Sequence, residues 1–205
     1  VATDPAGVQR VLAAAKIAKQ KKLNVVVGLQ RHYQNSYRAL MKRIQDGQIG
    51  DVVSASCWWN NDGVWVKPRK EGQTEMDYQL RNWYYFNWIC GDHITEQHIH
   101  NIDVINWVKN GYPVRARGTG GREVRKGKDC GEIFDHHIVE FEYADGTILN
   151  SQCRHIPGTW TRVDEHVIGT KGKVHFDAAK ILDSKGNVQY AFDKKNKENN
   201  PYQTE

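Results

Sequence analysis

The chain has 205 residues, 26% charged and 39% hydrophobic, which suits one or two globular domains large enough to bury a core. No apolar run reaches the roughly 18 residues of a membrane-spanning helix and no secretory leader is visible, so no membrane partner is expected; the compartment stays open, the cytoplasm by default. The net charge of +5 comes from scattered bases rather than a stripe within a recognisable module, which argues against nucleic acid as a partner.

Asp4-Pro5 opens a helix, with a capping carboxylate and a proline at the first helical position. Val8, Val11, Leu12, Ala15 and Ala18 form its apolar stripe, and Lys19, Lys21 and Lys22 suit its negative end. The β-branched run over 23–29 predicts a buried strand of the kind found in parallel sheets. Tyr37, Leu40, Met41 and Ile44 predict an amphipathic helix over 34–46, ended by Gly47, and Gly50 leads into a strand over 51–59. Residues 60–81 are polar, with Gly63, Pro68 and Gly72, and form an excursion of a length that is often functional. Trp83, Tyr84, Tyr85, Phe86 and Trp88 then make either a core or a binding wall.

A helix over 92–109 follows, and after it the chain turns to strands over 114–123, 134–143, 147–156, 161–168 and 173–176. Ala144-Asp145-Gly146 and Thr170-Lys171-Gly172 read as hairpin turns, and Ser184-Lys185-Gly186-Asn187 as a turn between 181–182 and 188–191. Residues 193–205 are polar and expected as a loop. Sequential strands with short turns make the class α+β: an open, mainly antiparallel sheet with helices on one face, preceded by the helix and strand of a doubly wound unit. One apolar face of such a sheet must be covered by helices or by another copy of the chain. The four cysteines, Cys57, Cys90, Cys130 and Cys153, form neither a Cys-x-x-Cys pair nor a dense framework; free thiols are favoured and disulfides left open.

The chemistry concentrates in 90–108. Asp92, His93, Glu96, His98, His100 and Asp103 are interleaved with Ile99, Ile102, Val104, Ile105 and Val108 at helical spacing. Glu96 and His100, four apart, share a helix face, and a carboxylate that orients an imidazole makes a general base. The same pair also suits a merely solvated face. A zinc site from His93, His98 and His100 is disfavoured because their offsets do not share one face, and no His-Glu-x-x-His signature is present, so no metal is assigned.

Several motifs in order resemble the glucose–fructose oxidoreductase, inositol dehydrogenase and MocA family. Val1-Ala2-Thr3-Asp4-Pro5 is similar to the segment directly after that family's Glu-Lys-Pro motif, and 26–33 to the strand and loop leaving its dinucleotide domain. Residues 44–53, with Gly47, Ile49 and Gly50, resemble the entry to its second domain; 91–107 resemble its Gly-x-x-x-x-Asp-x-x-x-His-x-x-Asp helix, and 169–172 a late sheet turn. The resemblance implies that His100 is the catalytic histidine, with Glu96 at a position that is usually Asp, and that Gln30 and Arg31 lie near the nicotinamide or substrate. It also implies a dinucleotide-binding remnant over 1–30 and a substrate-binding and oligomerisation domain over 31–205. The Gly-rich phosphate loop has no counterpart, since Gly118-Thr119-Gly120-Gly121 has the wrong spacing, so the chain is expected to be the central and C-terminal part of a longer enzyme, inactive alone.

The implied reaction moves a hydride between NAD or NADP and a secondary alcohol of a sugar, cyclitol or glycoside. Trp83, Tyr84, Tyr85 and Asn87 are candidates to shape the carbohydrate pocket, with His155, Trp160 and Arg162 approaching from the sheet. His136 and His137, adjacent in a strand, face opposite sides, and neither is assigned a role. Alternatives are an NAD-assisted glycoside hydrolase of the same family, a non-catalytic domain forming a homo-oligomer through the sheet face, and a zinc hydrolase.

Overall fold

The computed structural model describes residues 2–205; Val1, which opens the run compared with the post-Glu-Lys-Pro segment, lies outside them. Helix α1 (Pro5–Gln20) begins as expected: the Asp4 carboxylate accepts the Gly7 N–H at 2.9 Å. Its apolar residues stay uncovered, and so does the run behind it. Residues 23–29 pair with no strand among the described residues, and Val26 is 65% exposed. The expected buried strand is therefore not formed here, because a strand of that kind needs neighbours on both edges and both faces.

Helix α2 (Asn35–Gln45) buries Tyr37, Leu40, Met41 and Ile44 along one face. The turn after it relies on left-handed backbone at Gly47 (φ 85°) and Gly50 (φ 72°), and a Cβ at Gly50 would collide with Thr170. Strand β1 (Val52–Asn61) follows. The excursion beyond it contains helix α3 (Glu75–Arg81), capped by Thr74, whose hydroxyl accepts the Asp77 N–H at 3.1 Å. Helix α4 (Asn87–Cys90) closes the aromatic stretch.

The helix expected over 92–109 is in two pieces, α5 (His93–Glu96) and α6 (Ile99–Lys109). The His98 N–H reaches back five residues to the His93 carbonyl at 3.0 Å, a wide turn of the π type that interrupts the spiral. At this break the His98 ring is fully buried and meets Ser151 Oγ at 2.7 Å.

The remaining strands are β2 (Arg115–Gly121), β3 (His136–Glu142), β4 (Ile148–His155), β5 (Arg162–Gly169), β6 (Gly172–His175), β7 (Lys180–Asp183) and β8 (Val188–Ala191). They join β1 in an eight-stranded sheet of order β2-β3-β4-β1-β5-β6-β7-β8, antiparallel except where β1 runs parallel to β4. Helices α2 and α6 cover one face, and their Leu40, Met41, Val104 and Ile105 pack on Ala55, Leu149, Val167 and Val174. The opposite face carries exposed Ile138 and Ile168, and the exposed Trp160 ring stands edge-on to Trp58. Residues 193–205 were expected as a loop. They form two short helices, α7 (Lys194–Lys197) and α8 (Pro201–Thr204), and return to the start of α2: Glu198 Oε1 accepts the Ser36 N–H at 3.2 Å and Asn199 Oδ1 the Asn35 N–H at 3.0 Å. These two acceptors supply in trans the cap that α2 lacks from its own preceding side chain.

Candidate functional site

Strand register sorts the helix-covered face into rows. Phe141, Leu149, Ala55 and Val167 lie side by side and make the apolar core row. One step along, two residues on in each strand, Val139, Ser151, Cys57 and Glu165 are aligned, and one step further come His137, Cys153, Trp59 and Val163. The face thus changes from apolar to polar towards the C-terminal ends of β1 and β4.

The middle row is a closed network. Glu165, 0% exposed, is ion-paired with Arg31 and accepts from Tyr37 Oη at 2.9 Å and Asn101 Nδ2 at 2.6 Å. Burial pushes its carboxyl up to about 7, against the pull of Arg31 and of the Tyr37 hydroxyl. His98 bridges Ser151 and Asn101, the latter at 3.3 Å from Nδ1, and lies 3.6 Å from Cys57 Sγ; burial lowers its pKa to about 3 and keeps it neutral. Burial likewise holds Cys57 and Cys153 as thiols, and all four cysteines are free.

His100 sits at the edge of this network. Its ring lies 5.9 Å from that of Trp59, over which the Arg31 guanidinium stands at a matching 5.9 Å. Half-buried, His100 has an enclosed Nδ1 without a hydrogen-bond partner among the described residues. Burial and then the Arg31 charge lower its pKa to about 4, so it is an unprotonated base at neutral pH. Glu96 does not pair with it: no hydrogen bond or ion pair joins the two among the described residues, because the wide turn at His98 takes Glu96 off the stripe that an unbroken helix would share with His100. Burial raises the Glu96 carboxyl, and its charge helps hold the Tyr84 phenol protonated. Asp103, on the same helix as His100, instead meets His32 Nε2 at 2.6 Å.

Of the two proposed cofactor contacts, Gln30 donates to Tyr202 Oη at 3.2 Å and Arg31 is committed to Glu165. The aromatic stretch resolves mostly as core: Tyr84, Tyr85 and Phe86 are buried with Tyr78, Cys90 and Ile133, and Trp83 packs partly against them. The hydroxyls of Tyr84 and Tyr85 are spent on Gln97 Oε1 at 3.0 Å and the Val64 carbonyl at 2.8 Å. Asn87 Oδ1 is buried without a partner among the described residues. His155 stacks against Tyr84, its Nδ1 bonded to Arg125. Arg162 points the other way: it shares the uncovered face with Trp58, 4.0 Å from that ring, and with Asp164 and His166, so it does not join His100.

His93, His98 and His100, weighed together for zinc, do not converge on one point, since His98 turns to Ser151. What residue spacing could not reveal is the company of His93. His137 and Cys153, directly opposite one another on β3 and β4, meet it on the helix-covered face, while His136 turns to Asp135 at 2.7 Å. The alternation of His136 and His137 gave the two faces; only the β3–β4 register brings Cys153 beside the right one.

The profile of the GFO/IDH/MocA C-terminal domain matches residues 37–175. The chain belongs to the GFO/IDH/MocA family. Glu96 and His100 lie inside the matched stretch, and Gln30 and Arg31 outside it. An inositol 2-dehydrogenase from Rhizobium meliloti (strain 1021) is 26% identical over 81% of this chain, which spans 45% of that relative's length. Among solved structures, a putative oxidoreductase from Thermotoga maritima is similar over 93% of this chain and 56% of its own, with TM-score 0.67 and 16% identity. A levoglucosan dehydrogenase solved with NADH and levoglucosan is similar over 87% of this chain and 46% of its own, with TM-score 0.61 and 16% identity. At such identities these two share the fold.

Proposed function

We propose that the intact GFO/IDH/MocA protein is an NAD(P)-dependent oxidoreductase acting on a secondary alcohol of a sugar or cyclitol, with His100 as its base. The observation that carries this reading is an untied, neutral imidazole beside Trp59 and Arg31, on the helix that matches the family profile. The inositol 2-dehydrogenase relative and the levoglucosan dehydrogenase neighbour point to the same substrate class.

The nicotinamide, when bound, supplies the hydride acceptor. What this chain offers towards it is the Gln30–Arg31 turn and the open ring of His100; no phosphate-gripping glycine loop lies among the described residues. The grip on the cofactor is therefore assigned to a dinucleotide domain of which α1 and residues 23–29 are the last part, their exposed apolar side chains being its core. His100 accepts the hydroxyl proton on Nε2, the nitrogen that is neither enclosed nor hydrogen-bonded among the described residues, as the carbinol C–H leaves as hydride and the carbon–oxygen double bond forms. Burial, helped by the Arg31 charge, keeps that imidazole unprotonated beforehand, and Glu165 holds Arg31 in place. Glu96 acts on the site only if the α5–α6 break closes towards His100 in the working complex. The uncovered sheet face, with Ile138, Ile168 and Trp160, is assigned to contact between copies of the chain.

Replacing His100 with Ala in the full-length protein is expected to lower turnover on a polyol substrate by about 10²–10⁴-fold. Cofactor affinity, followed by nicotinamide fluorescence, should hold. Unchanged turnover removes the mechanism, and a product mixture showing net hydrolysis without net reduction of cofactor moves the protein to the hydrolytic alternative.

A further inference from the structure

One row outward from the Glu165 network, three side chains of ligand type converge from three elements. The candidate donor atoms of His93 (α5), His137 (β3) and Cys153 (β4) all lie within 4.8 Å of one another. His137 and Cys153 are held opposite each other by the strand register, and the His93 ring lies above them, 4.8 Å from that of His137. His93 is 1% exposed, and neither of its ring nitrogens has a hydrogen-bond partner among the described residues. A buried imidazole with both nitrogens idle carries a desolvation cost that a ligand would offset.

Asp92 prepares the same place. Its backbone has φ 78° and ψ 161°, a region natural to glycine and strained for any other residue. The strain aims its carboxylate three ways: at the His93 N–H (2.6 Å), the Phe134 N–H (3.0 Å) and His137 Nε2 (3.1 Å). The last contact ties one nitrogen of the His137 ring to a carboxylate and limits how the ring turns, an arrangement of the kind that supports metal-binding imidazoles.

We propose that His93, His137 and Cys153 form a binding site for a divalent transition-metal ion of the zinc class. Two imidazoles and a thiolate, with no carboxylate donor, select a borderline-soft ion over magnesium or calcium. Around tetrahedral zinc, bonds of about 2.0–2.3 Å place donors about 3.3–3.6 Å apart, so side-chain closure of about an ångström completes the site. Both histidines enter neutral, which is how burial keeps His93. Cys153, held as a thiol by burial, gives its proton to solvent as the metal–sulfur bond forms. The ion with its thiolate carries one net positive charge, which Asp92 balances; Arg125, bonded to His155 beside His93, leaves one positive charge over. Three protein ligands leave a fourth position open, as in catalytic rather than purely structural zinc sites.

The site is independent of the hydride-transfer reading, and its test reads metal and not turnover. The full-length protein is stripped with a chelator and titrated with Co²⁺. Stoichiometric binding is expected, with a sulfur-to-cobalt charge-transfer band in the near ultraviolet, strong tetrahedral visible bands, and displacement by Zn²⁺. Cys153→Ser should abolish the charge-transfer band, Asp92→Asn should weaken binding by about 10–100-fold, and Cys130→Ser, outside the cluster, should change neither. Absence of the band in the unmodified protein, or its persistence in Cys153→Ser, overturns the proposal. The titration of the unmodified protein stands even where a variant fails to fold.

Discussion

Two neighbouring rows of the same buried face treat polar groups in opposite ways. Around Glu165 almost every donor and acceptor is matched: Arg31, Tyr37 and Asn101 converge on the carboxylate, and His98 is tied to Ser151 and Asn101. One row outward, His93, just as buried, has both nitrogens idle, and the half-buried His100 at the margin has an idle Nδ1. Burial alone therefore does not decide which polar groups of this face are satisfied. The matched row ties α2 and α6 to the sheet through Tyr37 and Asn101.

The comparison breaks most visibly at Glu165. Replacing it with Ala leaves Arg31 charged and unpaired inside, and should cost about 3–5 kcal/mol in chemical denaturation. A loss near zero would mean that the matched row is not what holds the helices. A smaller, graded effect is expected with pH in chelated protein. His98 and His100 are kept neutral with pKa values of about 3 and about 4, below the 6.5 of a free histidine. The unfolded chain takes up those protons first, so stability is lost as pH falls below about 6.5. Glu165, raised to about 7 from 4.5, favours the folded state over the same fall, because the native carboxyl binds its proton earlier. Burial lowers His93 and His155 in the same direction and raises Glu96 alongside Glu165. Four histidines thus oppose two carboxyls, so the denaturation midpoint should drop between pH 6.5 and about 5, and a midpoint that rises instead would show that the carboxyls dominate. The smallest effect is expected for His93→Leu in chelated protein: removing an unpaired polar group should leave stability unchanged or slightly higher. In protein loaded with Zn²⁺ the same substitution should abolish the metal-dependent gain in melting temperature.

Much of the fold is legible in local pattern. The stripe of Tyr37, Leu40, Met41 and Ile44, the Gly47–Gly50 turn, and the Asp145-Gly146 and Lys171-Gly172 turns each carry their own signal, and each forms. Residues 23–29 do not, since a strand's state depends on neighbours that its own residues do not encode. The Glu96–His100 pair shows the same limit. Its spacing presumes an unbroken helix, and the break comes from His98 reaching Ser151, a contact 53 residues away in the chain. The His93, His137 and Cys153 cluster was equally out of reach, because a period-2 pattern gives the face of each strand and not which residue of the next strand stands opposite. The aromatic run from Trp83 to Trp88 carried both readings, and tertiary packing assigned Tyr84, Tyr85 and Phe86 to the core.

The position of β1 in the sheet also sets a timetable for synthesis. It lies between β4 and β5, and its Ser54 pairs with Ile148 on one side and Ile168 on the other. At about 5–20 residues per second, a ribosome that has just made Trp58 and Trp59 needs several seconds more before either edge of that strand has its partner. For that interval the strand destined for the centre of the sheet, carrying two tryptophans, is an open edge, and the nascent chain depends on shielding from its surroundings until β4 and β5 arrive.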